Sequence, residues 1–442
     1  MIKIFSMVLL FVMASPLWAG ERILTTDFDR FGGIHTKVDD KGNIWTAFYD
    51  SKGDIHIREV SGGGDLVVNE GRERAPGGIG FDVQGNNIYV VWREKIGGKK
   101  LWLRASYDGG KTLNEPVLLD DRNASLPSIK ISSNAKGDIF VLYLGEAIAG
   151  DSKYNLYFTA SHDFGKTFSE SQNLTRGYQN SIYPVFFAEG ERGYMFSDSG
   201  KDGKRFMIFR RSGDGGRTWG EPVELRETAG AAVFIEPIRA GKRLHVFWLD
   251  RVNDEQCVGA AFSDDDGQTW KSRILDDTRG LDIGLLRVTN DSEGHVYLAF
   301  SAKREDKEKR KVFVMSSGDN GDTWEKPLML RQYPFLKTQA MNPHIITAEK
   351  GVVVVVWVDY RNIRSNLYMQ VSKDYGKTWQ EKDIPLEEPG RFNTAHYPLT
   401  ESLLRIGDTY YELAYRFKDD RISAGEVDII LIDFKLQKGG VQ

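Results

Sequence analysis

The chain has 442 residues, 40% hydrophobic and 12% aromatic, with 46 glycines, ten tryptophans and a single cysteine. Its 59 basic and 63 acidic side chains give a formal charge of −4 with no long block of either sign, which argues against nucleic acid or an anionic membrane as partner. One cysteine excludes an intrachain disulfide, and the seven histidines lack metal-ligand spacing, so stability must come from a packed core.

Residues 1–19 read as an export signal. Met1, Ile2 and Lys3 give a short positive start, Ile4 to Met13 are apolar, and Ser15 to Gly20 offer small residues for cleavage after Ala19. The apolar run is too short for a membrane span, and no later stretch is long enough. The expectation is a mature chain that begins at Gly20 or Glu21, works in the periplasm or the medium, and forms one domain over 20–442 with no linker. Oligomeric state is left open.

After a spare strand at Arg22–Thr26, the chain repeats. Units begin near Ile34, Pro76, Pro127, Pro184, Phe234, Ile283, Pro343 and Tyr397. The second unit shows the order: Gly78–Val83, Asn87–Trp92, Leu101–Ser106, a turn, and Pro116–Leu119. β-branched and aromatic residues broken by Gly and Asn argue for strands throughout. The turn is one eight-residue phrase that recurs six times, at Ser106–Leu113, Ser161–Phe168, Ser212–Trp219, Ser263–Trp270, Ser317–Trp324 and Ser372–Trp379. Ser, Asp, Gly and Thr never vary within it. Its aspartates are Asp108, Asp163, Asp214, Asp265, Asp319 and Asp374, a spacing of 51 to 55 residues that marks a repeat architecture. An Asp that accepts backbone N–H groups, followed by a Gly free to take φ > 0, makes a self-satisfied hairpin turn, and its closing residue can pack against its own sheet.

Eight such units make an all-β fold, a β-propeller of four-stranded antiparallel blades. Eight blades are expected, or seven or six if a terminal unit is merged or degenerate. The last unit shows three strands, Pro398–Leu404, Thr409–Arg416 and Val427–Leu436; the N-terminal strand can supply its fourth and close the ring, leaving no exposed edge.

The six phrases resemble the Asp boxes, or BNR repeats, of the sialidase-like superfamily, across nearly all of the mature chain. The resemblance implies that the boxes join third and fourth strands on the face opposite the active site. On that other face, the ends of second strands carry Asp50, Glu94, Glu146, Asp198, Asp250 with Arg251, and Asp359 with Arg361. They read either as solvated strand ends braced by ion pairs or as a polar funnel for a sugar, a cation or a basic partner. No cofactor is expected; Ca²⁺ is the one cation that such oxygen donors would suit, without an EF-hand spacing to support it.

Sialidase chemistry needs three arginines on the substrate carboxylate, a Tyr activated by a Glu, and an acid/base carboxylate. Arg74-Ala75-Pro76 is similar to the family's first arginine motif. Glu236 followed by Arg251 resembles its Glu-then-Arg pair, Arg364-Ser365-Asn366-Leu367 its R-x-N-L segment, and Tyr397-Pro398-Leu399 the nucleophile segment. A whole blade separates Arg251 from Arg364, and no Asp follows Arg74 where the acid/base belongs; Glu94 and Asp50 are the substitutes. Two functions follow: a propeller that binds a glycan or a protein at the face away from its Asp boxes, with Trp92, Trp248 and Trp357 as candidate rim platforms, or a sialidase-type glycoside hydrolase.

Overall fold

The computed structural model describes residues 20–26, 34–62, 64–70, 78–94, 100–121, 124–146, 153–305, 307–330, 338–395, 402–418 and 427–436. The expected signal segment, Arg74 and Tyr397 lie outside them.

The strands form eight sheets: seven of four antiparallel strands in chain order and a last one of five. In the fifth blade, for instance, the order is Val233–Ala240, Arg243–Val252, Glu255–Ser263 and Lys271–Leu275. First strands of successive blades lie against one another around the axis. This is the expected eight-bladed propeller. The eighth blade takes Gly20–Thr25 as its outermost strand, antiparallel to Val427–Lys435, so the N-terminal strand closes the ring as predicted. The first strand of that blade departs from expectation. It consists of two pieces, Asn393–Ala395 and Leu403–Ile406, both paired with Thr409–Phe417.

The core is distributed in the same way. Eight buried apolar clusters each span a pair of neighbouring blades, including the seam between the last and the first, where Leu24, Ile34, Phe48, Leu413, Ile429 and Leu431 meet. Apolar burial at roughly 25 cal/mol per Å² therefore acts between blades, and no single blade could be stable without its neighbours. Side chains on third strands add a latch to the preceding blade: Arg104 Nη1 donates to the Val68 carbonyl at 2.9 Å, Arg210 Nη1 to Leu174 at 2.8 Å and Gln370 Nε2 to Leu330 at 2.7 Å.

Each Asp box is closed locally. The serine hydroxyl donates to the aspartate at 2.7–2.8 Å. The threonine hydroxyl donates to the other carboxylate oxygen at 2.5–2.7 Å, and the glycine N–H donates to the serine at 2.7–2.9 Å. The Thr269 hydroxyl and N–H hold the Asp265 carboxyl down at about 2. The glycine is required twice over. Gly216 sits at φ +79°, and a Cβ there would lie 2.3 Å from Phe158 of the preceding blade. The closing aromatics behave likewise. They fill the seam with the blade before as well as touching their own sheet: Trp219 sits edge-on to Phe158 of the preceding blade at 4.9 Å and near Phe186 of its own at 6.4 Å, and Trp270 lies edge-on to Phe209 of the preceding blade at 4.8 Å.

The two faces are distinct. Asp boxes bond to turns between first and second strands, with Gly109 N to Asn86 O at 2.9 Å and Tyr375 N to Gly351 O at 2.9 Å. Hairpins between second and third strands lie at the other end beside the links that lead into the next blade, as in Gly280 N to Gln256 O at 3.1 Å.

Candidate functional site

The innermost strand of each blade pairs on one side only, so it is an edge facing the channel. That is why it tolerates Pro184, Pro237 and Pro343, which cannot donate to a ladder. Its entry, on the face away from the Asp boxes, is also where the backbone is strained. Register shifts interrupt the first strands of the fourth, fifth, sixth and seventh blades at Ile182/Val185, Val233/Glu236, Ile283/Leu285 and Met341/His344. Non-glycine residues take left-handed backbone in three of these shifts: Tyr183 at φ 52°, Phe234 at 50° and Asn342 at 52°. Tyr183 and Asn342 each precede a proline, a position that favours extended backbone, so their conformation is imposed by the fold. Such residues cost of order 1–3 kcal/mol each and gather at ligand sites.

Tyr183 is the most open of the three, 49% exposed, while Phe234 packs against the seam of the fifth and sixth blades. The segment beneath Tyr183 is pinned. Ser199 Oγ donates to Ser181 Oγ at 2.9 Å inside the blade, and Arg205 donates from Nε to Asp198 and from Nη2 to the Asn180 carbonyl at 3.1 Å. Asp198 also accepts the N–H of Ala232 at 2.8 Å. Burial pulls the Arg205 pKa down, and the nearby Tyr183 hydroxyl pushes it the other way. The arrangement presents an exposed tyrosine at the head of an inner strand. A further strained residue, Ile363 at φ 72° and 96% exposed, tips the hairpin of the seventh blade on the same face.

The carboxylates expected to line a funnel are turned back into their blades. Asp50 caps its own hairpin, accepting the N–H of Lys52 at 3.0 Å and of Asp54 at 2.7 Å. Glu94 accepts the Trp102 indole N–H at 2.9 Å. Asp250 accepts the Trp248 indole at 3.2 Å and pairs with Arg226 at 3.3 Å; Asp359 accepts the Trp357 indole at 3.2 Å and pairs with Arg361 at 2.8 Å. Trp92, Trp248 and Trp357 are fully buried and so are not rim platforms.

The arginines are placed as differently. Arg361 lies between Asp359 and Asp383 and stacks on Tyr368 at 4.0 Å; burial opposes its charge, but Asp359 and then Asp383 outweigh it and raise its pKa. Arg364 donates to the carbonyls of Arg391 at 2.8 Å and Gly390 at 3.4 Å. Glu236 is ion-paired with Arg287 of the next blade. Arg251 is exposed on its hairpin. Among the described residues, no hydrogen bond or ion pair joins Arg251, Arg364 and Glu236 to one another. Neither Tyr183 nor Arg205 stands out in the sequence; the Tyr-Pro dipeptide at the head of an inner strand is the one signal.

Among the described residues, no three His, Cys, Asp or Glu side chains converge as metal ligands, and no helix is long and apolar enough to cross a membrane. Cys257 is buried, which pushes its thiol up to about 11 and leaves it inert near neutrality.

Residues 130–355, just over half of the chain, match the family of BNR repeat-like domains. No curated protein sequence matches. Among solved structures, the polysaccharide lyase Uly1 is similar at a TM-score of 0.54 and 13% identity, over 96% of this chain and all of that one. A polysaccharide lyase of family PL25, an ulvan lyase bound to -[GlcA(1-4)Rha3S]-, is similar at 0.53 and 12%, over 79% of this chain and 90% of that one. At these identities the likeness is one of fold.

Proposed function

This chain belongs to the BNR repeat-like domain family, and on that premise we propose that it is an exported propeller that binds an acidic glycan at the channel mouth opposite its Asp boxes. The observation that carries the reading is Tyr183, held exposed in left-handed backbone at the head of an inner strand. A tyrosine offers a sugar an apolar face and a hydroxyl, and exposed Arg251 one blade on favours an anionic sugar. Two further facts support this reading: structures of like fold are polysaccharide lyases, one of them bound to a glucuronate-containing fragment, and the first 19 residues have the composition of an export signal.

Calorimetric titration with uronate-containing oligosaccharides, and with neutral ones as control, tests it. The wild type binds the acidic set. Tyr183→Ala weakens that binding about tenfold or more, equivalent to about 1.4 kcal/mol, and Tyr183→Phe weakens it less. Equal affinity of wild type and Tyr183→Ala, or no binding of any acidic oligosaccharide, would refute the proposal.

A further inference from the structure

We infer that the opposite, Asp-box end of the ring carries a separate site for a small oxyanion, anchored by Arg405. A cleft of about 170 Å³ opens there between the sixth, seventh and eighth blades, lined by Asn290, Asp291, Ser292, Thr347, Glu349 and Arg405. Two turns between first and second strands form its walls, and the Thr347 hydroxyl ties them together by donating to the Asn290 carbonyl at 2.7 Å. The volume holds several waters, each taking ~30 Å³ of the liquid, or one oxyanion in their place.

The charges in the cleft are unequally satisfied. Asp291 is fully engaged: one oxygen accepts the N–H groups of Glu293 and His295, each at 2.9 Å, and the other meets His295 Nδ1 at 2.8 Å and the Tyr297 hydroxyl at 3.0 Å. Arg405 makes no hydrogen bond or ion pair with any described residue; its Nε is sealed from solvent, whereas its Nη groups are not and line the cleft unpaired. This sets it apart from Arg239 and Arg243 on the same face, which are bridged to Asp266 and to Asp264 and Asp322 respectively. A guanidinium left unpaired in a cleft is costly, and its two solvent-reachable Nη groups can donate to two oxygens of a sulfate, phosphate or carboxylate. Glu349, exposed on the rim and paired with no described residue, opposes such a ligand and sets its affinity. The site lies on the other face from Tyr183, so it stands or falls independently of glycan binding at the mouth.

Calorimetry with sodium sulfate, sodium phosphate and sodium acetate, against sodium chloride at matched ionic strength, reads it directly. The wild type shows saturable binding of at least one oxyanion, Arg405→Gln weakens it about tenfold or more, as loss of a charge-assisted hydrogen bond requires, and Glu349→Gln tightens it. A further titration with glucose 6-sulfate separates the source: tighter binding than inorganic sulfate marks an ester-borne oxyanion, and weaker binding marks the free ion. Thermal unfolding confirms that both variants fold. No saturable binding in the wild type, or binding unchanged in both variants, overturns the inference.

Discussion

A chain that starts at Thr26 should lose the cooperative unfolding transition of the ring, or unfold at a much lower denaturant concentration, and should self-associate. Residues 20–25 form the outermost strand of the eighth blade, paired from Gly20 opposite Asp433 to Thr25 opposite Ile429 with one register shift between Ile23 and Thr25. Their removal strips Leu24 from the seam between the last and first blades, a burial of about 1.5–3 kcal/mol. It also removes Glu21, whose carboxylate receives the Arg416 guanidinium at 2.7 Å, and the Leu24 carbonyl to which Arg58 donates. Arg416 is 8% exposed and would keep Glu387, at 3.3 Å, and the Phe392 ring, at 3.6 Å. Glu21 is exposed and Arg416 keeps the buried Glu387 side chain, so loss of this pair adds only about 1 kcal/mol to the loss of a whole outer strand and its seam contact. The bared edge of Val427–Lys435 is a template for a second chain. Denaturant melts and light scattering check this; an unchanged midpoint in a monomeric truncated chain would show that the ring does not depend on this strand.

Trp357→Ala should destabilise the seventh blade by about 3–5 kcal/mol, the range for a fully buried aromatic cut to a methyl. The side chain has no exposed surface and sits in the seam with the sixth blade, among Val312, Val314 and Tyr368. Its indole N–H also serves Asp359, itself buried and paired with Arg361. Trp357→Phe separates the two contributions. It keeps most of the packing and removes the donor, so it should cost about 1–3 kcal/mol, the penalty for a buried carboxylate oxygen left short of one partner. Equal midpoints for wild type and Trp357→Ala would contradict the assignment of the core to the seams.

The parts of this fold that could be read from sequence are those whose interactions are local and repeated. An Asp box satisfies itself within eight residues, so its pattern survives in every copy, and its spacing reports the blade. Prolines at unit starts mark inner strands because those strands are edges. What could not be read depends on partners far along the chain. Arg361 looks like a ligand clamp beside Asp359, but Asp383, 22 residues on, completes a structural pair. Glu236 fits a nucleophile's helper until Arg287, 51 residues on, occupies it. The closing tryptophans reach their own sheets as expected, but sequence carries no sign that they also pack on the preceding blade. Tyr183 was missed for a related reason: a tyrosine before proline predicts extended backbone, and only the pinned Ser181–Ser199 and Asn180–Arg205 bonds hold it otherwise.

Hydrogen exchange with and without a uronate-containing oligosaccharide tests most directly which face the ligand takes. Slowed exchange is predicted at 179–185 and 233–236, with the six Asp boxes unaffected. Protection confined to the boxes, or spread over the ring without a maximum near Tyr183, would contradict a glycan site at the mouth.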